Sequence, residues 1–416
     1  MSPRTRSVAP AAVATFLGIL FVGLSLRTTI TSISPLLEVI SAEVPLDGPT
    51  LGIVAAAPTL AYALSGVITP GVARRIGLER TVTLVLLVMA VGHVARATAT
   101  GPGWLLIATV GTLLASGVGN VLVPPLIKRH FPEQLGVVTA VYVASLAISS
   151  AVPALVAVPL AELIGWRASL GVWGVATAIA LLPWLVGLRT SSRQREEGAA
   201  LAGAGLGRTA SREGRDGRIS ASWIAWSLVG LFAMCSFGGF AMLAWMPTIL
   251  VETSGVDPAT AGSLLSMFAV CGLPIAVLVP PIVARMPSAI IAIIVAGMAS
   301  FIVGYSGLLI APGAAPILWV LALGIGSLPY PLAFTLIGLR TRSAAVALRL
   351  SGFVQAVGYI LAAAGPFTVG ILHELTGTWA VPLGFLMAAV LLALPAVFVL
   401  GRSGFVEDEI RRSTSP

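Results

Sequence analysis

Charge is scarce in this sequence: Asp, Glu, Lys and Arg make up only 10% of its 416 residues, and just two are cysteine. Each scarcity excludes something. Cys235 and Cys271 stand apart in apolar runs with no CxxC or CxxxH spacing around them, so neither a disulfide framework nor a cysteine-held metal is expected. Histidine is limited to His93, His130 and His373, scattered along the chain, and no Asp or Glu sits in the middle of an apolar run. The facing cluster of His, Asp, Glu or Cys that a membrane-embedded enzyme needs is therefore missing. No enzymatic activity, cofactor or metal is expected. What remains is apolar. Hydrophobic residues make up 57% of the chain, and its mean hydropathy is +1.01. That is too high for a water-soluble protein of this length. The 45 glycines and 28 prolines fit the same reading, because transmembrane helices tolerate both where neighbouring helices re-satisfy the backbone.

Apolar runs long enough to cross about 30 Å of hydrocarbon predict helices near 11–40, 50–73, 81–100, 103–127, 136–162, 168–188, 222–250, 260–284, 288–310, 315–339, 346–373 and 379–400. The N-terminus, with Arg4 and Arg6 before an apolar run, resembles a secretory signal. No small-x-small cleavage site follows and many apolar segments do, so it is taken as a retained first helix. The fold class expected is an all-α membrane protein of twelve transmembrane helices. They divide into an N-terminal half (1–188), a Gly-, Ser- and charge-rich linker (189–221), a C-terminal half (222–402) and a tail (403–416).

A formal charge of +8 invites a nucleic-acid reading, but the distribution of the basic residues disposes of it. With both termini in the cytoplasm, all of the 24 Lys and Arg except Arg27, Arg96 and Arg167 fall on cytoplasmic segments. This is the positive-inside pattern of a bacterial-type inner-membrane protein. The expected partners are a small-molecule solute and the lipid bilayer, with no nucleic acid, and the chain is expected to act as a monomer. The halves also repeat weakly. TLGIVAAAPTLAYALSGVITPGVARR from Thr50 aligns with TAGSLLSMFAVCGLPIAVLVPPIVAR from Thr260 at a constant offset of 210, and Lys128 corresponds to Arg340. Both copies begin on the same membrane side, so the repeat is parallel.

The basic residue that this topology leaves at mid-membrane is Arg27, in LSLRTTITSISPLLEVI. An Arg at mid-membrane costs at least about 2.5 kcal/mol and should face a partner or a water-filled cavity. Arg27, Thr31, Ser34 and Glu38 are spaced by four, three and four, which puts them on one face of an uninterrupted helix. The guanidinium fork suits carboxylate-like or nitro-like groups. A structural Arg bonded to carbonyls or to Glu38 is the alternative. Asn120, Tyr142, Gln355 and Tyr359 are further polar residues inside predicted spans and join Arg27, Thr31 and Ser34 as candidate substrate contacts; interhelical hydrogen bonding is their competing role. Phe237, Phe240 and Trp245 are candidate apolar walls. Glu38, His93 and Arg96 are the candidates for coupling or gating.

These stretches resemble the CynX/NimT-like transporters of the major facilitator superfamily. The matching segments are LRTTITSISPLL, ARRIGLER, GNVLVPPLIKRHFP, VYVASLAISSAVPALVAVPLA and LSGFVQAVGYILAAAGPFTVGILHELTGTW. The resemblance implies a twelve-helix carrier that rocks two halves around a central site and moves a small polar or anionic solute. The cytoplasmic loop motif falls on Arg74, Arg75, Gly77 and Arg80, and it departs from the general superfamily pattern: Arg74 stands where an Asp is usual and Pro70 where the first Gly is. Two other readings stay open: an exporter with a broad apolar pocket in which Arg27 is structural, and a non-transporting membrane sensor.

Overall fold

A computed structural model describes residues 10–45, 48–202, 218–402 and 404–414. Arg4, Arg6 and the middle of the expected linker, 203–217, lie outside the described residues, as does the side chain of Glu38. The described chain is helical, with no strand. In order, the helices are α1 (Pro10–Leu26), α2 (Thr28–Thr31), α3 (Leu37–Ser41), α4 (Gly48–Ile76), α5 (Leu78–Ala97), α6 (Pro102–His130), α7 (Leu135–Ala202), α8 (Trp223–Ser254) and α9 (Pro258–Val270). They continue as α10 (Gly272–Arg285), α11 (Ala289–Ile310), α12 (Pro316–Ile325), α13 (Pro329–Leu339), α14 (Ala344–Thr376), α15 (Ala380–Ala389), α16 (Leu394–Leu400) and α17 (Val406–Thr414). Among the described residues, ten helical segments are long and apolar enough to cross a membrane, one of them the 55-residue stretch Pro132–Val186.

The outward faces explain why these helices need a membrane. Leu163 is 80% exposed, Ile107 70% and Phe398 69%, on faces where a soluble helix would carry charge. Their backbone groups are paired within the helix, so the exposed surface is purely apolar and suits hydrocarbon.

Several expected helices are interrupted. The first, expected over 11–40, breaks at Arg27 and tightens into a 3-10 turn at Ser34–Leu36. Glycine sets two of the turns. Gly77 (φ 91°) separates α4 from α5, and Gly165 (φ 81°) bends α7, so both need a conformation that side-chain-bearing residues resist. Helix α7 then runs on to Ala202, past the point where the linker was expected to begin.

The chain forms two compact units, one of residues 1–133 and 145–216 and the other of residues 134–144 and 217–416. In the first, Ile33, Leu36, Ile40, Ala99, Leu105, Ala157 and Leu170 pack into one buried cluster. Beside it Arg167 donates to Glu43 and lies 4.2 Å over the Trp166 ring. The Arg167 hydrogen bond holds the Glu43 carboxyl below its usual range. A lowered folded-state value means the pair's small contribution is present at neutral pH and fades as pH falls through it. At the α5 and α6 ends, Glu79 meets His130 at 3.0 Å and Arg129 at 3.2 Å.

In the second unit the C-terminal segment, expected as a simple tail, folds as α17 and caps two long helices. Glu409 Oε2 accepts from Ser222 Oγ (2.6 Å) and from the Ile224 backbone N–H (3.1 Å) at the start of α8. Glu407 Oε1 accepts from the Arg342 backbone N–H (2.7 Å), and Arg342 grips Asp408 through both terminal nitrogens at 2.7 and 2.9 Å. Carboxylates at helix N-termini satisfy orphan donors and complement the helix dipole. Glu409→Ala should therefore lower the thermal midpoint of purified protein, by an apparent 1–3 kcal/mol or about that, while Glu133→Ala on an exposed turn leaves it unmoved.

Candidate solute-binding site

The break at Arg27 is the central feature of the first unit. In a continuous helix the Leu26 carbonyl would accept from the Ile30 N–H; here Ile30 and Thr31 both donate to the Arg27 carbonyl, each at 3.1 Å. The freed Leu26 carbonyl is taken by Ser116 Oγ and, at 3.3 Å, by the Tyr62 hydroxyl; Tyr62 and Ser116 are themselves 2.6 Å apart. Ser149 Oγ accepts from the Arg27 backbone N–H at 3.3 Å, and Thr28 Oγ1 donates to the Ser25 carbonyl at 2.7 Å. Broken backbone at membrane depth is tolerated only when neighbours re-satisfy it in this way. No proline sits at the break. The run RTTITS supplies hydroxyls that compete for backbone partners, and Pro35 cannot donate to the Thr31 carbonyl one turn back.

Arg27 itself is half-buried, its guanidinium carbon 5.3 Å from the centre of the Tyr62 ring. The aromatic face favours a cation at that spot without neutralising it. Thr31 donates to the Arg27 carbonyl (3.0 Å) and the Ser149 carbonyl (3.3 Å). Ser34 is exposed and bonds back to the Ile30 carbonyl at 3.2 Å. The helix break thus interrupts the regular phase that grouped Arg27, Thr31, Ser34 and Glu38 on one face. Asn120 is fully buried on α6.

The other candidates gather in the second unit. Tyr142, at the start of α7, packs edge-on against Phe334 at 5.9 Å. Phe334 and Phe232 join Tyr330 and Tyr359: Phe232 lies 5.1 Å from Tyr359 and 5.5 Å from Tyr330. Gln355 is buried one turn before Tyr359 on α14, its amide nitrogen 2.9 Å from Ser351 Oγ. The result is a buried aromatic cluster in which the rings pack on one another, with Gln355 one turn from Tyr359. Phe237 and Trp245 lie elsewhere in this unit, packed on Phe385 at 5.7 Å and on Trp379 at 5.8 Å, and Trp245 Nε1 donates to the Pro366 carbonyl at 2.9 Å.

Arg74, Arg75 and Arg80 are exposed on either side of the Gly77 turn. His93 and Arg96 are completely buried on α5, with Thr28 Oγ1 3.4 Å from His93 Nε2. Sequence reasoning passed over Tyr62, Ser116, Phe232 and Phe334. The first two were visible as polar residues inside apolar runs; the phenylalanines carry no signal that separates a pocket wall from ordinary packing.

Residues 15–366 match the Major Facilitator Superfamily. The chain belongs to that superfamily. It is 33% identical over 392 residues to the 2-nitroimidazole transporter of Escherichia coli (strain K12), covering 92% of this chain and 93% of the relative. To the cyanate transport protein CynX of the same organism it is 23% identical over 365 residues, covering 87% and 90%. Its fold is similar to that of the proton:xylose symporter XylE bound to 6-bromo-6-deoxy-D-glucose, with TM-score 0.70 and 15% identity over 97% of this chain and 99% of that one. The CynX/NimT-like resemblance read from LRTTITSISPLL and LSGFVQAVGY therefore holds. This superfamily member is a multi-pass secondary transporter of a small solute in a bacterial cytoplasmic membrane, and not an enzyme.

Proposed function

We propose that this transporter moves a small, flat, polar solute, anionic or nitro-bearing, by alternating access, with Arg27 as its main electrostatic contact. The observation that carries the reading is the helix break at Arg27. Its freed backbone groups are taken by Ser116, Tyr62 and Ser149, while the guanidinium rests half-buried over an aromatic ring. A fixed fork of donors in a low-dielectric setting favours a planar acceptor pair such as a carboxylate or nitro group. Thr31, Ser34 and Asn120 in the first unit, and Tyr142, Gln355 and Tyr359 in the second, are proposed as hydrogen-bonding or stacking contacts. The names of the nitroimidazole and cyanate relatives support the same size and polarity range.

The architecture proposed is twelve membrane helices in two parallel six-helix halves, 1–188 and 222–402, with both termini cytoplasmic. Counting Gly48–Ile76, and dividing Pro132–Val186 at the Gly165 bend, brings the ten candidate spans to twelve. The loop motif around Arg74, Arg75, Gly77 and Arg80 is proposed to contribute to the cytoplasmic gate, with Glu79 in the carboxylate role that Arg74 vacates. Glu38 and His93 remain candidates for coupling.

A thermal-stabilisation screen of purified protein against 2-nitroimidazoles, cyanate, aromatic carboxylates and neutral apolar drugs tests the substrate class. Stabilisation by the planar nitro or anionic compounds is the expected result. Stabilisation confined to bulky apolar drugs would favour the broad-pocket exporter instead.

A further inference from the structure

Arg96 presents a physical problem that the solute site does not answer. Its side chain is 0% exposed, and Nε, Nη1 and Nη2 all lack a hydrogen-bond partner among the described residues. No acidic side chain among them pairs with it: Glu43 is engaged by Arg167, and Glu79 by Arg129 and His130. An isolated buried guanidinium is among the costliest arrangements a protein can hold. Some counter-charge must reach it.

The surroundings are built for one. Thr29 Oγ1, Ser32 Oγ and Thr109 Oγ1 are also buried and without partners among the described residues. The register of the helices sets Ser32 and Thr109 level with Arg96, with Thr29 one turn before Ser32. Thr28 touches His93 at 3.4 Å, and Ser32 and Arg96 lie one turn further along their segments in the same direction. Helices α5 and α6 are antiparallel and meet closely at Gly92, where an added Cβ would lie on the Thr112 hydroxyl. Thr109, one turn from Thr112 on α6, is therefore level with Arg96. On another side, α7 closes in at Gly174, where a Cβ would sit 3.3 Å from the His93 Cβ, and at Gly171, where it would sit 3.3 Å from the Ala97 Cβ. Small residues bring the wall in at this level.

His93 stays outside the donor set. Thr28 Oγ1 already donates to the Ser25 carbonyl, so it accepts from Nε2–H of His93, and in the neutral ring Nδ1 is left with a lone pair.

We propose that Arg96, with the hydroxyls of Thr29, Ser32 and Thr109, forms a second, dehydrated binding site for a compact monovalent anion, a halide or a small oxyanion. It is separate in role from Arg27: Arg27 is half-buried over an aromatic ring, whereas Arg96 is fully buried in the first unit. A site of this kind holds the helices α2, α5 and α6 together when occupied, so its anion stabilises the fold by mass action.

The test uses the full chain in detergent at constant ionic strength, replacing sodium gluconate stepwise with sodium chloride, nitrate or formate and reading the thermal midpoint. A saturable rise is expected in wild-type protein, retained in Arg27→Ala and lost in Arg96→Gln. Should Arg96→Gln fail to purify, Ser32→Ala/Thr109→Val keeps the guanidinium and should raise the half-saturating anion concentration at least about fivefold. The proposal is overturned by an anion-independent midpoint in wild-type protein, by loss of the effect in Arg27→Ala with retention in Arg96→Gln, or by an unchanged half-saturation in the double variant. An effect that is absent in wild-type protein and emerges in Glu38→Gln would also overturn it, by naming the chain's own carboxylate as the counter-charge.

Discussion

Arg27→Ala in proteoliposomes should cut flux of the transported solute by about thirtyfold or more, while the variant still inserts, purifies and keeps its thermal midpoint. The size of the effect follows from the energetics of a charged contact away from bulk water. Removing one partner of a desolvated charge-assisted pair typically costs about 2–5 kcal/mol, or roughly 30- to several-thousand-fold. Stability should be nearly spared because the hydrogen bonds that hold the break use the Arg27 backbone and the groups around it. Its N–H meets Ser149, its carbonyl is bonded by Ile30, Thr31 and the Thr31 side chain, and the Leu26 carbonyl is held by Ser116 and Tyr62. Arg27→Lys separates charge from geometry. A lysine keeps the charge but loses the planar fork, so partial flux with weakened affinity is expected. Full flux in Arg27→Ala would return this residue to a structural role and favour the broad-pocket exporter.

Gly230→Ala should produce the largest loss of folded protein of any single methyl addition in the second unit. A Cβ at Gly230 on α8 would fall 2.0 Å from the carbonyl oxygen of Leu392, in the 3-10 turn between α15 and α16. The obstacle is backbone, so no side-chain rotation relieves it and the helix crossing itself must open. Overpacking of a well-filled contact costs about 1–3 kcal/mol, and more where the backbone must move. Gly239→Ala is the control: nothing lies within 4 Å of a Cβ there, and alanine is the better helix former. Size-exclusion profiles and thermal midpoints of the two variants should diverge, with Gly230→Ala aggregated or strongly destabilised and Gly239→Ala unchanged or slightly raised. Equal behaviour would mean that the α8 crossing does not support the unit.

What was legible in the sequence follows from how each feature is encoded. Low charge and long apolar runs are properties of composition, so the membrane reading needed no tertiary information. Arg27 was legible because it is an exception: once the loop positions account for other basic residues, an arginine inside a span is left without a bland explanation. The interruption beside it was not legible, because no proline marks it. It depends on Ser116 and Tyr62 arriving from α6 and α4 to take a freed carbonyl, which is a tertiary event. The capping by α17 was hidden for a similar reason. VEDEIRR reads as an ordinary charged tail, and only the neighbouring starts of α8 and α14 give Glu407 and Glu409 donors to accept from. The grouping of 134–144 with the second unit depends likewise on contacts such as Tyr142 with Phe334, distant in sequence. His93 and Arg96 stand out in the sequence as candidates for coupling or gating, but nothing there signals that the Arg96 guanidinium is buried without a partner among the described residues, since burial of one side chain is set by several helices at once.

The most direct test of the account is equilibrium binding of the solute identified by stabilisation screening, measured by isothermal titration on wild-type protein, Arg27→Ala and Arg27→Lys at one ionic strength. Binding isolates the contact from every later step of the transport cycle. The account predicts a dissociation constant at least about thirtyfold weaker in Arg27→Ala, an intermediate value in Arg27→Lys, and unchanged thermal midpoints. An unaltered dissociation constant in Arg27→Ala would contradict it.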